Sequence, residues 1–128
     1  RYLVAGTGNK IEDFGVGFYT KYGDGGVDLS PIADLMKSEV FLLAKKLGVI
    51  DSIQQAAPTD GLWGDDRTDE DQMGATYNEL EWAMKHVNST SKNNTDRQKE
   101  VLAIYKKLHG QNQHKIQPIP VCEIPADL

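Results

Sequence analysis

Only two stretches of this 128-residue chain read as strands, residues 2–6 and Val27-Asp28-Leu29, and both are short. Tyr2-Leu3-Val4-Ala5 has the unbroken apolar character of a buried strand. It runs into Gly6-Thr7-Gly8, which suits a parallel strand whose carboxyl end opens onto a loop. Two short parallel strands are too few for an independent doubly wound sheet. The order strand, helix, strand, helix argues for an α/β layer structure in which helix outweighs strand. The remaining strands are expected in a part of the protein outside this sequence, an expectation that agrees with the abrupt start inside a strand at Arg1.

Helical patterning is clearest further along. Asn9 to Phe14 suits a helical turn just after the first strand. From Ser38, residues Val40, Phe41, Leu43, Ala44 and Leu47 fall on one helical face, with Lys45 and Lys46 in the last turn and Gly48 able to close it. Asp51 to Ala56 reads as a short helix stopped before Pro58. Residues 60–67 lack periodicity and are rich in Gly and Asp, so they form a loop. Thr68 is placed to cap a helix carrying Asp69, Glu70 and Asp71 in its first turn, continuing through Tyr77, Leu80, Glu81 and Met84. After a polar break at 88–94, a last helix from about Asp96 to His109 presents Val101, Leu102, Tyr105 and Leu108, with Gly110 ending it. The proline-bearing tail after His114 is not a regular helix.

Composition narrows the classes. A net charge of -5 argues against a general nucleic-acid surface, because phosphate backbones are bound through accumulated Lys and Arg. Cys122 is the only cysteine, which excludes an internal disulfide and any cysteine-based metal site. There is no long apolar run, so no membrane partner is expected, and the reading is of a soluble, cytoplasmic protein.

The chemistry-bearing residues crowd between Gly6 and Asp28. Glycines there allow close backbone approach to a bound group, and the charged residues among them suggest a metal or an anionic ligand. Gly6-Thr7-Gly8 suits phosphate contact, with the Thr7 hydroxyl as an extra donor. The dinucleotide fingerprint fails, because its last glycine would fall at Ile11. Glu12 lies about one helical turn on, where a carboxylate can serve a Mg2+ shared with nucleotide phosphates. Lys21-Tyr22-Gly23-Asp24-Gly25-Gly26-Val27-Asp28 places a lysine and two aspartates around a flexible turn, more charge than a generic turn needs. Lys37, just before a helix, can reach phosphate as a point charge, and His114-Lys115 can meet an anion. The Asp-rich stretch 60–71 lacks the spacing of a calcium loop.

Taken together, Gly6 to Asp28, Ser30-Pro31-Ile32-Ala33-Asp34-Leu35-Met36-Lys37-Ser38-Glu39-Val40, Ala57-Pro58-Thr59-Asp60-Gly61-Leu62-Trp63 and Thr68-Asp69-Glu70 resemble ammonia-dependent NAD synthetase. The resemblance covers nearly the whole chain and is most specific over residues 4–80. It implies an adenine-nucleotide hydrolase-like, Rossmann-like three-layer α/β sandwich. The family's Ser-Gly-Gly-x-Asp-Ser pyrophosphate loop is absent, so residues 1–128 resemble the C-terminal part of the single synthetase domain. The resemblance also implies ATP-dependent adenylation of the nicotinate carboxylate of deamido-NAD with Mg2+, then displacement of AMP by ammonia to give NAD.

Carried over residue by residue, Thr7, Lys37 and Thr59 would contact ATP and Glu12 would bind Mg2+. Lys21, Asp28, His114 and Lys115 would hold deamido-NAD, with Asp24 near the nicotinate and ammonia. Asp24 and Lys37 would be the catalytic pair, loop 60–67 a mobile flap, and the assembly a homodimer with sites at the subunit interface. Alone, the half is expected to be inactive. The nearest rivals are another ATP pyrophosphatase amidotransferase, such as a GMP synthetase domain, and a non-catalytic dimerising fragment. The run Phe14-Gly15-Val16-Gly17-Phe18 resembles the ammonia-fed rather than the glutamine-fed type.

Overall fold

The computed structural model describes residues 1–89 and 93–127. The sheet is reduced to one parallel bridge between Ala5 and Leu29. Gly6 donates its backbone N–H to Leu29 O at 2.7 Å, and Asp28 and Leu29 both donate to Val4 O. The two strand segments therefore meet in parallel, as their patterning predicts. Their burial does not follow: Tyr2, Leu3 and Val4 are 100%, 72% and 56% exposed. An apolar strand is buried only when layers cover both its faces, and here neither face is covered.

Helix dominates the rest. A π-helical turn, Ile11–Val16, follows the first strand segment. Among the described residues six helices come after it: α1 (Lys37–Lys46), α2 (Asp51–Gln54), α3 (Asp69–Met73), α4 (Tyr77–His86), α5 (Asp96–Gln111) and α6 (Gln113–Ile116). Three of them begin on a threonine whose hydroxyl accepts a backbone N–H from the third helical residue: Thr68 from Asp71, Thr76 from Glu79 and Thr95 from Gln98. In each, the third residue's side chain returns a bond to the threonine N–H, forming a reciprocal capping box.

Several boundaries depart from the sequence reading. The helix begun at Thr68 does not continue through Tyr77. It stops at Gly74, whose φ of 77° is left-handed, and Thr76 starts a second helix. Gly110 does not end α5, which runs on to Gln111 before Asn112. His114 and Lys115 lie in α6 instead of an irregular tail. Lys37 is the first residue of α1, not the one before it. Part of the polar break expected at 88–94, residues 90–92, lies outside the described residues.

The core forms where the π-helical turn, α4 and α5 meet. Ile11, Val16, Met73, Ala75, Tyr77, Leu80, Ala83, Val101 and Tyr105 are buried together, and Leu102 and Leu108 pack against them. This matches the faces predicted for α4 and α5. Across the same helix pair, Arg97 grips both carboxylate oxygens of Glu79, at 2.7 and 2.8 Å. The apolar face of α1 behaves differently. None of its residues is buried, and Phe41, Leu43 and Leu47 are 39%, 38% and 72% exposed. What fixes α1 is its N-terminus, where the buried carboxylate of Glu81 accepts Ser38 N–H at 2.9 Å and Ser38 Oγ at 2.8 Å.

Candidate active site

Asn9 opens the site. Its side chain, 2% exposed, turns back so that Oδ1 accepts the N–H groups of Ile11 and Glu12 at 3.0 and 3.1 Å. An Asn in this role starts the helical turn and fixes the direction in which Glu12 leaves it. Glu12 Oε1 then accepts the Lys37 ammonium at 2.9 Å and lies 2.7 Å from the Tyr77 hydroxyl. That hydroxyl is also 3.1 Å from Asp69 Oδ2. Lys37 Nζ sits 4.7 Å from the centre of the Tyr77 ring, on its face. Lys37 of α1 and Tyr77 of α4 thus converge on one carboxylate that is only 15% exposed, with Asp69 of α3 behind the tyrosine.

A second cluster fastens the 17–24 segment to the chain's end. Lys115 Nζ donates to Gly17 O at 2.9 Å and to Tyr19 O at 2.8 Å, while the Tyr19 hydroxyl donates to Lys115 O. Lys21 Nζ donates to His114 O. Asn112 Nδ2 reaches Val16 O at 2.8 Å. Each lysine spends part of its donor set on the backbone and keeps the rest. The Asp24 carboxylate accepts the Thr20 N–H and hydroxyl. Burial pushes the Asp24 carboxyl up, but those bonds, with the N–H groups of Asp24 and Gly25, outweigh it and hold the group below the usual carboxylate range.

Asp13 titrates in the opposite sense. Burial first, then the charges of Glu12 and Asp24, push it up to about 6. A carboxyl raised in the folded state holds its proton where the unfolded chain has lost it, between about pH 4 and pH 6. Stability from this group is therefore full below about pH 4 and is lost as pH rises through 6. Because Asp13 is only partly buried, the effect is discounted to on the order of 1 kcal/mol. Asp13→Asn in the full-length chain, without divalent metal, should raise Tm by about 2–4 °C at pH 8 and by much less at pH 4.5. An equal shift at both pH values would show that charge is not the cause.

Two cavities bring the sequence-predicted residues together. One of about 430 Å³ is lined by Gly17, Tyr19, Asp24 and Lys115 and, across from them, by Asp60, Leu62 and Trp63 of the loop 60–67. The other, about 320 Å³, includes both Lys37 and Thr59. Thr59 also closes the loop upon itself, donating to Arg67 O at 3.3 Å and accepting Gly61 N–H. Thr7 is exposed and lines neither cavity. Asp28 lines neither as well, and its carboxylate accepts Val4 N–H at 2.8 Å, joining the two strand segments. Asn9, Asp69 and Tyr77 are site residues that sequence reasoning passed over. Only Asn9 carried a local signal, an Asn two and three residues ahead of the N–H groups it caps.

The family model for NAD synthase matches residues 1–119, and the chain belongs to that family. It is 42% identical over 122 residues to the NH(3)-dependent NAD(+) synthetase of Archaeoglobus fulgidus, covering 95% of this chain and 47% of that one. It is 49% identical over 85 residues to the enzyme of the same name from Methanococcoides burtonii, covering 66% of this chain and 32% of the relative. Among solved structures, the NMN synthetase of Francisella tularensis superposes with a TM-score of 0.77 at 35% identity, over 97% of this chain and 47% of that one. The NH3-dependent NAD synthetase of Campylobacter jejuni, at 24% identity and a TM-score of 0.64, shares the fold. The chain thus spans about half the length of the curated relatives it matches, or less. Its exposed strands and the bare face of α1 are what a helix-rich part of the Rossmann-like synthetase fold presents.

Proposed function

We propose that this chain is part of a ligase that uses ATP to adenylate the nicotinate carboxylate of deamido-NAD and then replaces AMP with ammonia, forming NAD and releasing pyrophosphate. The observation that carries this reading is the family match across residues 1–119. It favours an NAD synthase over a GMP-type amidotransferase.

In this reading Thr7, Lys37 and Thr59 meet ATP, and the cavity shared by Lys37 and Thr59 supports placing them on one nucleotide. Lys21, Asp28, His114 and Lys115 hold deamido-NAD, the lysines through the donors their backbone bonds leave free. Adenylation brings a carboxylate onto an α-phosphate, so two negative groups must approach. Lys37, held by Glu12 on the face of the Tyr77 ring, supplies fixed positive charge there. Loop 60–67, whose Asp60, Leu62 and Trp63 face Asp24 and Lys115 across a cavity, keeps water from the adenylate when it closes.

Among the described residues no group of three or more His, Cys, Asp or Glu could cage a metal. The donor set does fit a Mg2+ shared with nucleotide phosphates, which takes one or two protein carboxylates. Glu12 would hold it, because Oε2 accepts only a long 3.4 Å bond from Asn9 N–H. Bound there, the ion would offset charge on the phosphate oxygens.

Asp24, kept ionised, attracts ammonium to the nicotinate end and accepts its proton as attack proceeds, while the second proton, lost as the amide forms, departs with AMP to solvent. Asp24→Asn in the full-length chain should slow amide formation about 100-fold and leave pyrophosphate release within about twofold. Equal loss of both rates would count against the role. The likeness to the Francisella NMN synthetase favours one second reading, in which the acid is the mononucleotide. Offering nicotinate mononucleotide and deamido-NAD side by side with ATP and ammonia decides between them. The assembly is read as a homodimer with its sites near the subunit interface.

A further inference from the structure

Tyr77 is 5% exposed and stands between two carboxylates. It has one proton to give and two acceptors within reach, Glu12 Oε1 at 2.7 Å and Asp69 Oδ2 at 3.1 Å. A hydroxyl facing two ionised carboxylates would satisfy one and turn a lone pair toward the other. Glu12 takes the shorter bond and has the Lys37 ammonium 2.9 Å away as its counter-charge, so the tyrosine proton points to Glu12. Asp69 is 8% exposed, and among the described residues it has no ion-pair partner and its Oδ1 is buried without a hydrogen bond. A neutral carboxyl tolerates that surrounding far better than a carboxylate does. Burial pushes the Asp69 carboxyl up, more than the Tyr77 bond lowers it.

We propose that Tyr77 is the positioning residue for the Glu12–Lys37 pair, and that Asp69 serves it as a hydrogen-bond donor instead of as an anion. The chain of bonds runs from the Asp69 carboxyl to the Tyr77 oxygen and from the Tyr77 hydroxyl to Glu12. Asp69 is the first residue of α3, and its N–H donates to Pro58 O at 3.0 Å, so it closes the base of the loop that lines the 430 Å³ cavity. Tyr77 thereby ties the base of that loop to the charged pair at the nucleotide side. The placement of Glu12 stands on geometry alone; its effect on turnover rests on the function proposed above.

The test uses Tyr77→Phe, Asp69→Asn and Asp69→Ala in the full-length chain, with ATP, deamido-NAD and ammonia. Tyr77→Phe should lower kcat about tenfold with KM for ATP within about twofold, the loss expected from one hydrogen bond to a charged group. Asp69→Asn keeps an N–H donor toward the tyrosine and should stay within about threefold of the parent, whereas Asp69→Ala should fall as far as Tyr77→Phe. In unfolding experiments, Tyr77→Phe should shift the folded-to-unfolded ratio about fivefold less in a Glu12→Gln background than in the parent. Failure of the parent to make NAD would overturn the proposed function, and the unfolding cycle would then decide this inference by itself. The positioning role is overturned if Tyr77→Phe and Glu12→Gln act independently. Donation by Asp69 is overturned if Asp69→Asn is as impaired as Asp69→Ala.

Discussion

Lys37→Met in the full-length chain should cut adenylation of the nicotinate carboxylate by about 10²–10³-fold, the usual loss when one preorganised charge partner of a transition state is removed. The side chain serves two ends at once. Its ammonium is 20% exposed and lies 2.9 Å from Glu12, so removing it also leaves a mostly buried carboxylate without its counter-charge. Breaking a buried pair from one side costs about 3–5 kcal/mol, and partial exposure with a surviving Tyr77 bond moves this site to the low end or below. Activity and stability must therefore be separated. Lys37→Met combined with Glu12→Gln removes both charges and should return most of the lost stability while leaving adenylation at least as slow as in the single variant, because Glu12 is also the residue proposed to hold Mg2+. Recovery of turnover in the double variant would mean that Lys37 acts only by neutralising Glu12 and that adenylation needs neither charge. Binding of ATP, measured by calorimetry, should weaken in both variants, because the cavity that Lys37 shares with Thr59 loses its cation.

What the sequence made legible follows the range of the interaction. Thr68 sits three residues before the Asp71 side chain that answers it, so that helix start was legible within four consecutive positions, whereas the same local signal at Thr76 was passed over and two helices were read as one. The apolar faces of α4 and α5 were legible for the same reason, since each packs on the other and on the π-helical turn. The exposure of Tyr2, Leu3 and Val4 was not, because an apolar strand reads as buried whether or not the described residues supply layers to cover it. The site divides in the same way. Lys37 and Glu12 were each legible as ligand-directed charges, yet their pairing spans 25 positions and depends on where α1 docks. Tyr77 looks like an ordinary apolar contact of an amphipathic helix, and nothing near it shows that its hydroxyl meets a carboxylate 65 positions away. Lys115 reads as a free cation for an anion. In the fold it is first a clamp on the carbonyls of Gly17 and Tyr19.

The segment held by that clamp also contains a glycine with little tolerance for a side chain, Gly17. Gly17 has a φ of 65°, and a Cβ built on it would lie 2.4 Å from Asn112 Cβ. The left-handed conformation alone costs an alanine about 1–2 kcal/mol. The contact with Asn112 adds a further cost of about 1–3 kcal/mol, because both atoms are anchored to backbone and neither can swing aside. Gly17→Ala in the full-length chain should therefore lose about 3 kcal/mol in chemical unfolding. Gly48 provides the internal control. Its φ is 71°, also left-handed, but nothing lies within 4 Å of its missing Cβ, so Gly48→Ala should lose only about 1–2 kcal/mol. The difference between the two variants measures how tightly the end of α5 presses on the 15–19 segment. If it is large, movement of Asn112 must also disturb Lys115, three residues on, and with it the wall of the cavity that holds Asp24. Binding of deamido-NAD should then weaken in Gly17→Ala and not in Gly48→Ala. Equal losses of stability in the two variants would mean that the tail yields freely and that Lys115 does not hold this wall.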